Sequence, residues 1–316
     1  MKILVTGGAG FIGTNFIRYW LKKYPEPDIT VLDKLTYAGR RENLGELPGC
    51  IQFIQGDICD KVVVSQAMDG CNIVFHFAAE SHVDRSIENA GDFVRTNITG
   101  TYTLLEAAKA ANIDRFIHIS TDEVYGSTFE GSFSEDDPLM PSSPYSATKA
   151  GSDLLALSYH MTHGLPVIVT RSSNNYGPYQ YPEKMIPLMI LNALENKKLP
   201  VYGDGKNIRD WLFVEDNCAG IDTVAQKGRC GEIYNLGAQN EYENIEIIRK
   251  ILNILDKPED LITYVRDRPG HDRRYSLQTD KVAQLGWKPE VAFDEGLQKT
   301  ISWYCDHKNW WKPIRG

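Results

Sequence analysis

Short apolar runs and longer helical patterns alternate along the first half of the chain. Ile3 to Thr6, Ile29 to Leu32, Ile51 to Ile54, Ile73 to Phe77, Arg115 to Ser120 and Pro166 to Thr170 read as strands. Their apolar character is unbroken rather than alternating, which marks strands buried on both faces and hence a parallel sheet covered by helices. Between them, Phe11 to Lys23, Phe93 to Asn112 and Tyr145 to His163 carry helical patterns, the last stopped by Gly164 and Pro166. The pattern predicts an α/β chain built on a doubly wound parallel sheet, the Rossmann arrangement, whose ligands sit beyond the C-terminal ends of the strands.

After about residue 178 the regularity loosens into connections such as Tyr202-Gly203-Asp204-Gly205 and Arg268-Pro269-Gly270. Residues 1–177 are therefore expected to form the main lobe and residues 178–316 mainly a second, smaller α/β lobe that binds substrate. Trp211 to Val214 and Ile233 to Leu236 again read as buried strands, and the region around 210–236 is expected to rejoin the first sheet. The helix from Tyr145 carries Ala147, Ala150, Leu154, Leu155, Leu157 and Met161 around much of its circumference. It is expected to pack on two sides, against its own core and, with the helix from Phe93, against a second copy in a homodimer.

Composition narrows the function classes. A length of 316 residues suits two lobes with a cleft between them, and 42% hydrophobic with 24% charged residues is ordinary for a folded chain. A formal charge of −8 opposes nucleic-acid binding, which draws on clustered Lys and Arg. The apolar runs are of strand length and Met1 leads almost at once into a strand, so no membrane span or signal peptide is expected and the cytoplasm is the expected location. Cys50, Cys59, Cys71, Cys218, Cys230 and Cys305 are scattered without a Cys-x-x-Cys pair, which fits reduced thiols and no metal. Asn97-Ile98-Thr99 then matches a glycosylation sequon by chance.

TGGAGFIG, Thr6 to Gly13, lies between the first strand and the first helix. Gly7 permits the tight turn, Gly10 lets the backbone approach a pyrophosphate, and Gly13 lets helix and strand pack closely. The spacing is Gly-x-x-Gly-x-x-Gly. Most glycine clusters are only turns; the strand-loop-helix context makes this one a dinucleotide site. Asp33 ends the second strand, where a carboxylate accepts hydrogen bonds from ribose hydroxyls and repels a 2′-phosphate, so NAD is expected over NADP. Asp57 and Ile58, after the third strand, are candidates to frame the adenine, although Gly56-Asp57 also makes a good turn.

Tyr145 and Lys149 share one helix face. Tyr19/Lys23 and Tyr202/Lys206 have the same spacing, as chance allows in a chain with 16 tyrosines. Position separates them: only Tyr145 opens a helix soon after the fifth strand's carboxyl end. An ammonium ~4 Å away at an effective dielectric of ~20 favours a phenolate by ~4 kcal/mol, enough to bring a phenol of ordinary pKa ~10 close to neutrality. Lys149 is thus expected to make Tyr145 a usable base. Ser120 to Gly126 places Asp122 and Glu123 at the same strand end, where adjacent carboxylates invite a division between acid and base. Alone, such a pair is more often a solvated loop.

Taken together, TGGAGFIG, the Tyr145/Lys149 pair and the Thr121-Asp122-Glu123 segment make the chain resemble, over essentially its whole length, the extended short-chain dehydrogenase family, and within it the dTDP-glucose 4,6-dehydratases. The resemblance implies NAD contacts at Phe11, Ile12, Asp33, Lys34, Asp57, Ile58, Ala78, Ala79, Thr96, Tyr145, Lys149 and Asn175. It implies substrate contacts at Ser81, Thr121, Asn174, Glu183, Lys184, Arg209, Asn244, Arg268 and His271, with Pro200, Val201 and Tyr202 near the nucleotide base. Arg209 and the Asp267 to His271 stretch suit a diphosphate and a sugar. The loop between Glu130 and Pro144 is short for the family, which leaves the rim of the pocket open.

The implied reaction is redox-neutral. Tyr145 takes the hydroxyl proton at sugar carbon 4, Glu123 the proton at carbon 5, and Asp122 protonates the departing carbon-6 hydroxyl, while Thr121 bonds the carbon-4 oxygen. A UDP-hexose 4-epimerase shares the glycine loop and the Tyr/Lys pair but needs neither carboxylate. A UDP-glucose 4,6-dehydratase differs by one methyl group on the base, worth only ~1–3 kcal/mol in a pocket. A noncatalytic NAD-binding scaffold would have no use for the four side chains together.

Overall fold

The computed structural model describes residues 1–45, 47 and 51–315 of the chain; Cys50 lies outside the described residues. Six strands follow the expected apolar runs: β1 (Lys2–Thr6), β2 (Asp28–Asp33), β3 (Ile51–Gln55), β4 (Ile73–His76), β5 (Arg115–Thr121) and β6 (Val167–Ser172). The second half adds β7 (Asn174–Tyr176), β8 (Leu199–Tyr202), β9 (Ile208–Phe213), β10 (Ile233–Leu236), β11 (Glu241–Glu243) and β12 (Ile262–Val265). Among the described residues the large sheet has the order β10-β6-β5-β4-β1-β2-β3, with every pairing parallel. This is the doubly wound α/β fold. Its strand order reverses between β1 and β4, and that switch point opens a crevice at the strands' carboxyl ends.

The helices cover both faces. On one, Phe16, Ile17 and Trp20 of the helix Phe11–Lys23 pack on Val5, Val31 and Phe75, beside Cys218 and Ile221 of the helix Val214–Lys227. On the other, Leu104, Leu105, Ala108, Ala156 and Tyr159 cover Leu4, Val74, Phe116 and Val167. A separate apolar cluster, with Ile190, Leu191, Ile247, Ile251, Leu297 and Tyr304, forms the core of the second half.

Two expectations are corrected. Trp211 to Val214 does not rejoin the large sheet: β9 ends at Phe213, Val214 starts a helix, and β9 lies between β7 and β11 in a three-stranded sheet. Its side chains explain this. Trp211 and Phe213 enter the core of the second half while Leu212 packs with the first, so β9 serves both cores with period two. The place beside β6 belongs to β10. Secondly, the helix expected from Phe93 to Asn112 is not uniform: Ala90–Phe93 leads into a π-helical segment, Val94–Gly100, before α-helix resumes over Thr101–Ala111. Asn112 then ends it in the left-handed region at φ 50°.

Among the described residues no helix is long and apolar enough to cross a membrane. Asn97, the sequon residue, is buried: it accepts from Glu80 N at 2.9 Å and donates to Glu80 O and Thr148 Oγ1. Tyr19 and Lys23 meet buried Asp222, at 3.0 and 2.5 Å, and tie the first helix to Val214–Lys227.

Candidate active site

The loop after β1 is built for contact without side chains. Gly7 sits at φ +69°, and a Cβ on it would stand 2.6 Å from Ala78 N; a Cβ on Gly13 would collide with Gly7 O. The helix from Phe11, N-capped by Gly10 with no side-chain cap, presents its first N–H groups to the cavity that this loop lines. Gly7, Gly10, Phe11, Ile12, Gly13, Asp33, Lys34, Asp57, Ile58, Ala78, Ala79, Thr96, Tyr145 and Lys149 all line that one cavity. Asp33 accepts from Ala9 N at 2.9 Å and Leu35 N at 2.8 Å, which fixes its carboxylate, and burial raises its pKa. Asp57 holds Lys34 at 3.0 Å and Arg95 at 2.9 Å. A glycine cradle, a helix N-terminus and a fixed carboxylate fit the diphosphate and ribose of NAD.

β5 delivers Thr121 to the same crevice, and a 3-10 turn, Asp122–Tyr125, follows at once. Thr121 Oγ1 donates to Asp122 Oδ1 at 3.1 Å and accepts from Glu123 N at 3.3 Å. Asp122 is 2% exposed, and its Oδ2 has no partner among the described residues. Burial, then the neighbouring Glu123 charge, pushes its pKa well above the carboxylate range. Burial raises Glu123 too, but Arg268, Arg209 and Lys184 oppose the rise. Burial thus favours the proton on both carboxyls, more strongly on Asp122, and the cations beside Glu123 set the two apart.

Tyr145 is positioned by a capping box, Ser143 with Ser146, and by Pro144 at the start of the helix Pro144–His163. The expected lowering of its pKa by Lys149 does not occur in the chain alone. Burial, then Glu123, raises the phenol, and the Thr121 hydrogen bond only partly opposes this. Lys149 instead donates to Ile119 O at 2.6 Å, and burial lowers its pKa to about 8. Helical spacing placed both residues on one face but did not set where the long lysine stem ends. Behind Lys149, Asp153 bonds Arg171 at 2.9 Å and meets His118 at 3.2 Å, all three fully buried.

A second cavity lies in the other half. Asn174, Glu183, Lys184, Pro200, Val201, Tyr202, Arg209, Asn244, Arg268 and His271 line it, as does Glu123. Gln180, Glu183 and Lys184 line both cavities and so mark where they join. Arg209 is held through backbone carbonyls, Asp272 O at 2.9 Å and Ile208 O at 2.7 Å, and has no carboxylate salt-bridge partner among the described residues. Asn174 and Asn244 each keep a buried Oδ1 with no partner among the described residues, free to accept from a ligand.

Four residues lie elsewhere than expected. Asn175, assigned to the cofactor, lines the second cavity, because its β7 segment crosses to the small sheet. Ser81, assigned to the substrate, lines the first, where its carbonyl accepts from Lys184 at 2.7 Å. Thr121 and the catalytic candidate Asp122 line neither cavity, because Asp122 is buried and Thr121 half-buried at the end of β5; Thr121 reaches the site through Tyr145, and Asp122 through Thr121 and its neighbour Glu123. The sequence reading missed Gln180, Tyr181, Asp84 and Tyr275, whose ring lies under the Arg209 guanidinium at 4.1 Å. Asp84 lies on the short helix Val83–Glu88 and the others on loops, with no spacing signal among them. Among the described residues lining either cavity, none comes from the loop between Glu130 and Pro144.

The family model described as GDP-mannose 4,6 dehydratase matches residues 4–300. A dTDP-glucose 4,6-dehydratase of Streptomyces niveus is 51% identical, covering 100% of this chain and 96% of its own length. The crystal structure of DesIV, a dTDP-glucose 4,6-dehydratase from Streptomyces venezuelae with NAD and dTDP bound, superposes with a TM-score of 0.98 at 48% identity, covering 99% of this chain and 100% of that one. The UDP-glucose 4-epimerase of Thermus thermophilus, solved with NAD, reaches 0.91 at 30% identity over 97% and 100% of the two chains.

Proposed function

The chain belongs to the GDP-mannose 4,6-dehydratase family, and on that premise we propose that it is a dTDP-glucose 4,6-dehydratase, a hydro-lyase that yields dTDP-4-keto-6-deoxyglucose and water. The observation that carries the reading is the Asp122–Glu123 pair: adjacent carboxyl groups at the C-terminal end of β5, both with the proton favoured by burial, Asp122 strongly and Glu123 against the opposing charges of three cations. Bound in the glycine cradle, NAD supplies the hydride acceptor and donor. Tyr145 takes the carbon-4 hydroxyl proton as that carbon gives up hydride and becomes a ketone. Glu123 removes the carbon-5 proton, which the ketone has made acidic. Asp122 protonates the carbon-6 hydroxyl, which leaves as water; hydride adds to carbon 6 and a proton returns to carbon 5. Thr121, bonded to both Tyr145 and Asp122, is assigned the hydrogen bond to the carbon-4 oxygen, where negative charge gathers.

Arg209 and Arg268 suit the diphosphate, and β8 with Asn244 suits the base. The 4-epimerase reading has the fold in its favour, but an epimerase has no use for an acid and a base beside carbons 5 and 6. We include in the proposal a dinucleotide lobe of residues 1–177 with β10 and a substrate lobe in the remainder. A cytoplasmic homodimer is proposed as well. The exposed Val94, Tyr102, Leu154 and Met161 on the helices near Phe93 and Tyr145 give its contact face an apolar surface.

The deciding experiment labels the sugar. Turnover of dTDP-glucose deuterated at carbon 4 is expected to move the label to carbon 6, and turnover in deuterium oxide to place deuterium at carbon 5. A label that stays at carbon 4 overturns the dehydratase reading. Assay of dTDP-, UDP-, CDP- and GDP-glucose side by side tests the nucleotide.

A further inference from the structure

The C-terminal segment reaches back across the molecule to the glycine loop. Trp310, on the helix Lys308–Arg315, donates its indole N–H to Asn43 Oδ1 at 2.7 Å. Asn43 is 1% exposed and donates onward to Ala9 O at 2.8 Å. Ala9 O also accepts from Arg40 N, and Ala9 N donates to Asp33 Oδ2, so the peptide units either side of Ala9 are anchored. Asn43's own carbonyl accepts from Thr14 and Arg18 of the first helix. Trp310 packs edge-on against Trp303 and Tyr179, with the Arg40 guanidinium over its ring. From the same C-terminal segment, Tyr304 donates to Gln180 O, and Gln180 lines both cavities.

We propose that Trp310 is a positioning residue for the dinucleotide site: through Asn43 it fixes the Ala9–Gly10 backbone, and so the C-terminal helix governs how long the cofactor is retained. The inference rests on the NAD reading above. The physical reason is preorganisation. A glycine-rich loop has much backbone freedom to lose when it closes on a diphosphate, and a loop already pinned at Ala9 loses less. The glycine motif and the last turn of the chain, some 300 residues apart in sequence, thus act as one unit.

Trp310→Phe keeps the aromatic packing and removes the indole donor. In the holoenzyme, exchange of bound cofactor for labelled NAD is expected to run about fivefold faster, the loss of one net hydrogen bond. The rate at saturating NAD is expected to match wild type, and the unfolding midpoint of the cofactor-stripped chain to fall by only a few degrees, the loss of the Asn43 partner. Retention in wild type with unchanged exchange in Trp310→Phe overturns the latch alone. Faster exchange with a fall of roughly ten degrees or more in the stripped chain's midpoint also overturns it, because the role is then merely structural. A wild-type chain that retains no NAD overturns the cofactor reading and the latch with it.

Discussion

Lys149 Nζ donates to the carbonyl of Ile119 at 2.6 Å, so the ammonium beside Tyr145 is tethered to the backbone of β5. Burial favours its neutral form and brings its pKa to about 8. In the chain alone this charge does not lower the Tyr145 pKa; on the proposed mechanism it helps Tyr145 lose its proton only once NAD is bound, and it is present below about pH 8 and lost as pH rises through that value. kcat/KM is expected to fall above about pH 8. A pH–rate profile flat from roughly 7 to 9.5 removes Lys149 from this role.

On the proposed mechanism Asp122 acts protonated and Glu123 ionised. Asp122→Asn removes the acid but keeps the shape, and the neutral amide suits a buried site where charge is disfavoured. Formation of the 4-keto-6-deoxy product is expected to drop by about 10²–10⁴-fold. Glu123 is left intact, so dTDP-glucose recovered from deuterium oxide is expected to carry deuterium at carbon 5. Mass spectrometry of the recovered sugar decides it: no exchange there means that Asp122 also serves an earlier step.

Asp33 holds its carboxylate on two backbone N–H groups at the edge of the cofactor cavity. Asp33→Asn removes the charge that faces a 2′-phosphate. The preference for NAD over NADP is expected to narrow by about tenfold or more, since a like-charge contact costs several kcal/mol. Binding titrations of the stripped enzyme with both cofactors measure the ratio, and an unchanged ratio rejects this role for Asp33.

Asp153 is fully buried between Arg171 and His118. Burial would raise its pKa, but the His118 bond and the charges of Arg171 and Lys149 hold it below the ordinary value. Asp153→Asn leaves the Arg171 charge buried without a counter-ion, a loss of about 3–5 kcal/mol. The midpoint of thermal unfolding is expected to fall by about 5–15 °C. A midpoint within a degree of wild type means that water reaches Arg171.

The parallel sheet was legible because strands buried on both faces leave unbroken apolar runs, and the dinucleotide cradle because only glycine fits where Gly7 and Gly13 approach other backbone. Tyr145, Asp122 and Glu123 were legible from their place after β5. The partner of Lys149 was not, since an i, i+4 spacing fixes a helix face and leaves four side-chain torsions undetermined. Nor was the sheet that β9 joins, because the same alternation serves a strand between two cores. Asn175, Gln180 and Tyr275 take their places from contacts between segments distant in sequence, for which no local pattern exists.

The π-helical segment Val94–Gly100 carries one residue more than an α-helix of the same reach, and its phase matters more than its composition. Thr96 faces the cofactor cavity, Asn97 clamps Glu80 and Thr148, and Tyr102 beyond it faces outward. Deleting one residue here would restore regular α-helix and leave the helix beyond it in phase, but residues inside the segment would shift by one position, about 100° around the axis, so that Thr96 and Asn97 could not both keep these places. The region is then open to substitution at its exposed positions but closed to insertion or deletion, a constraint on chain length rather than on residue type.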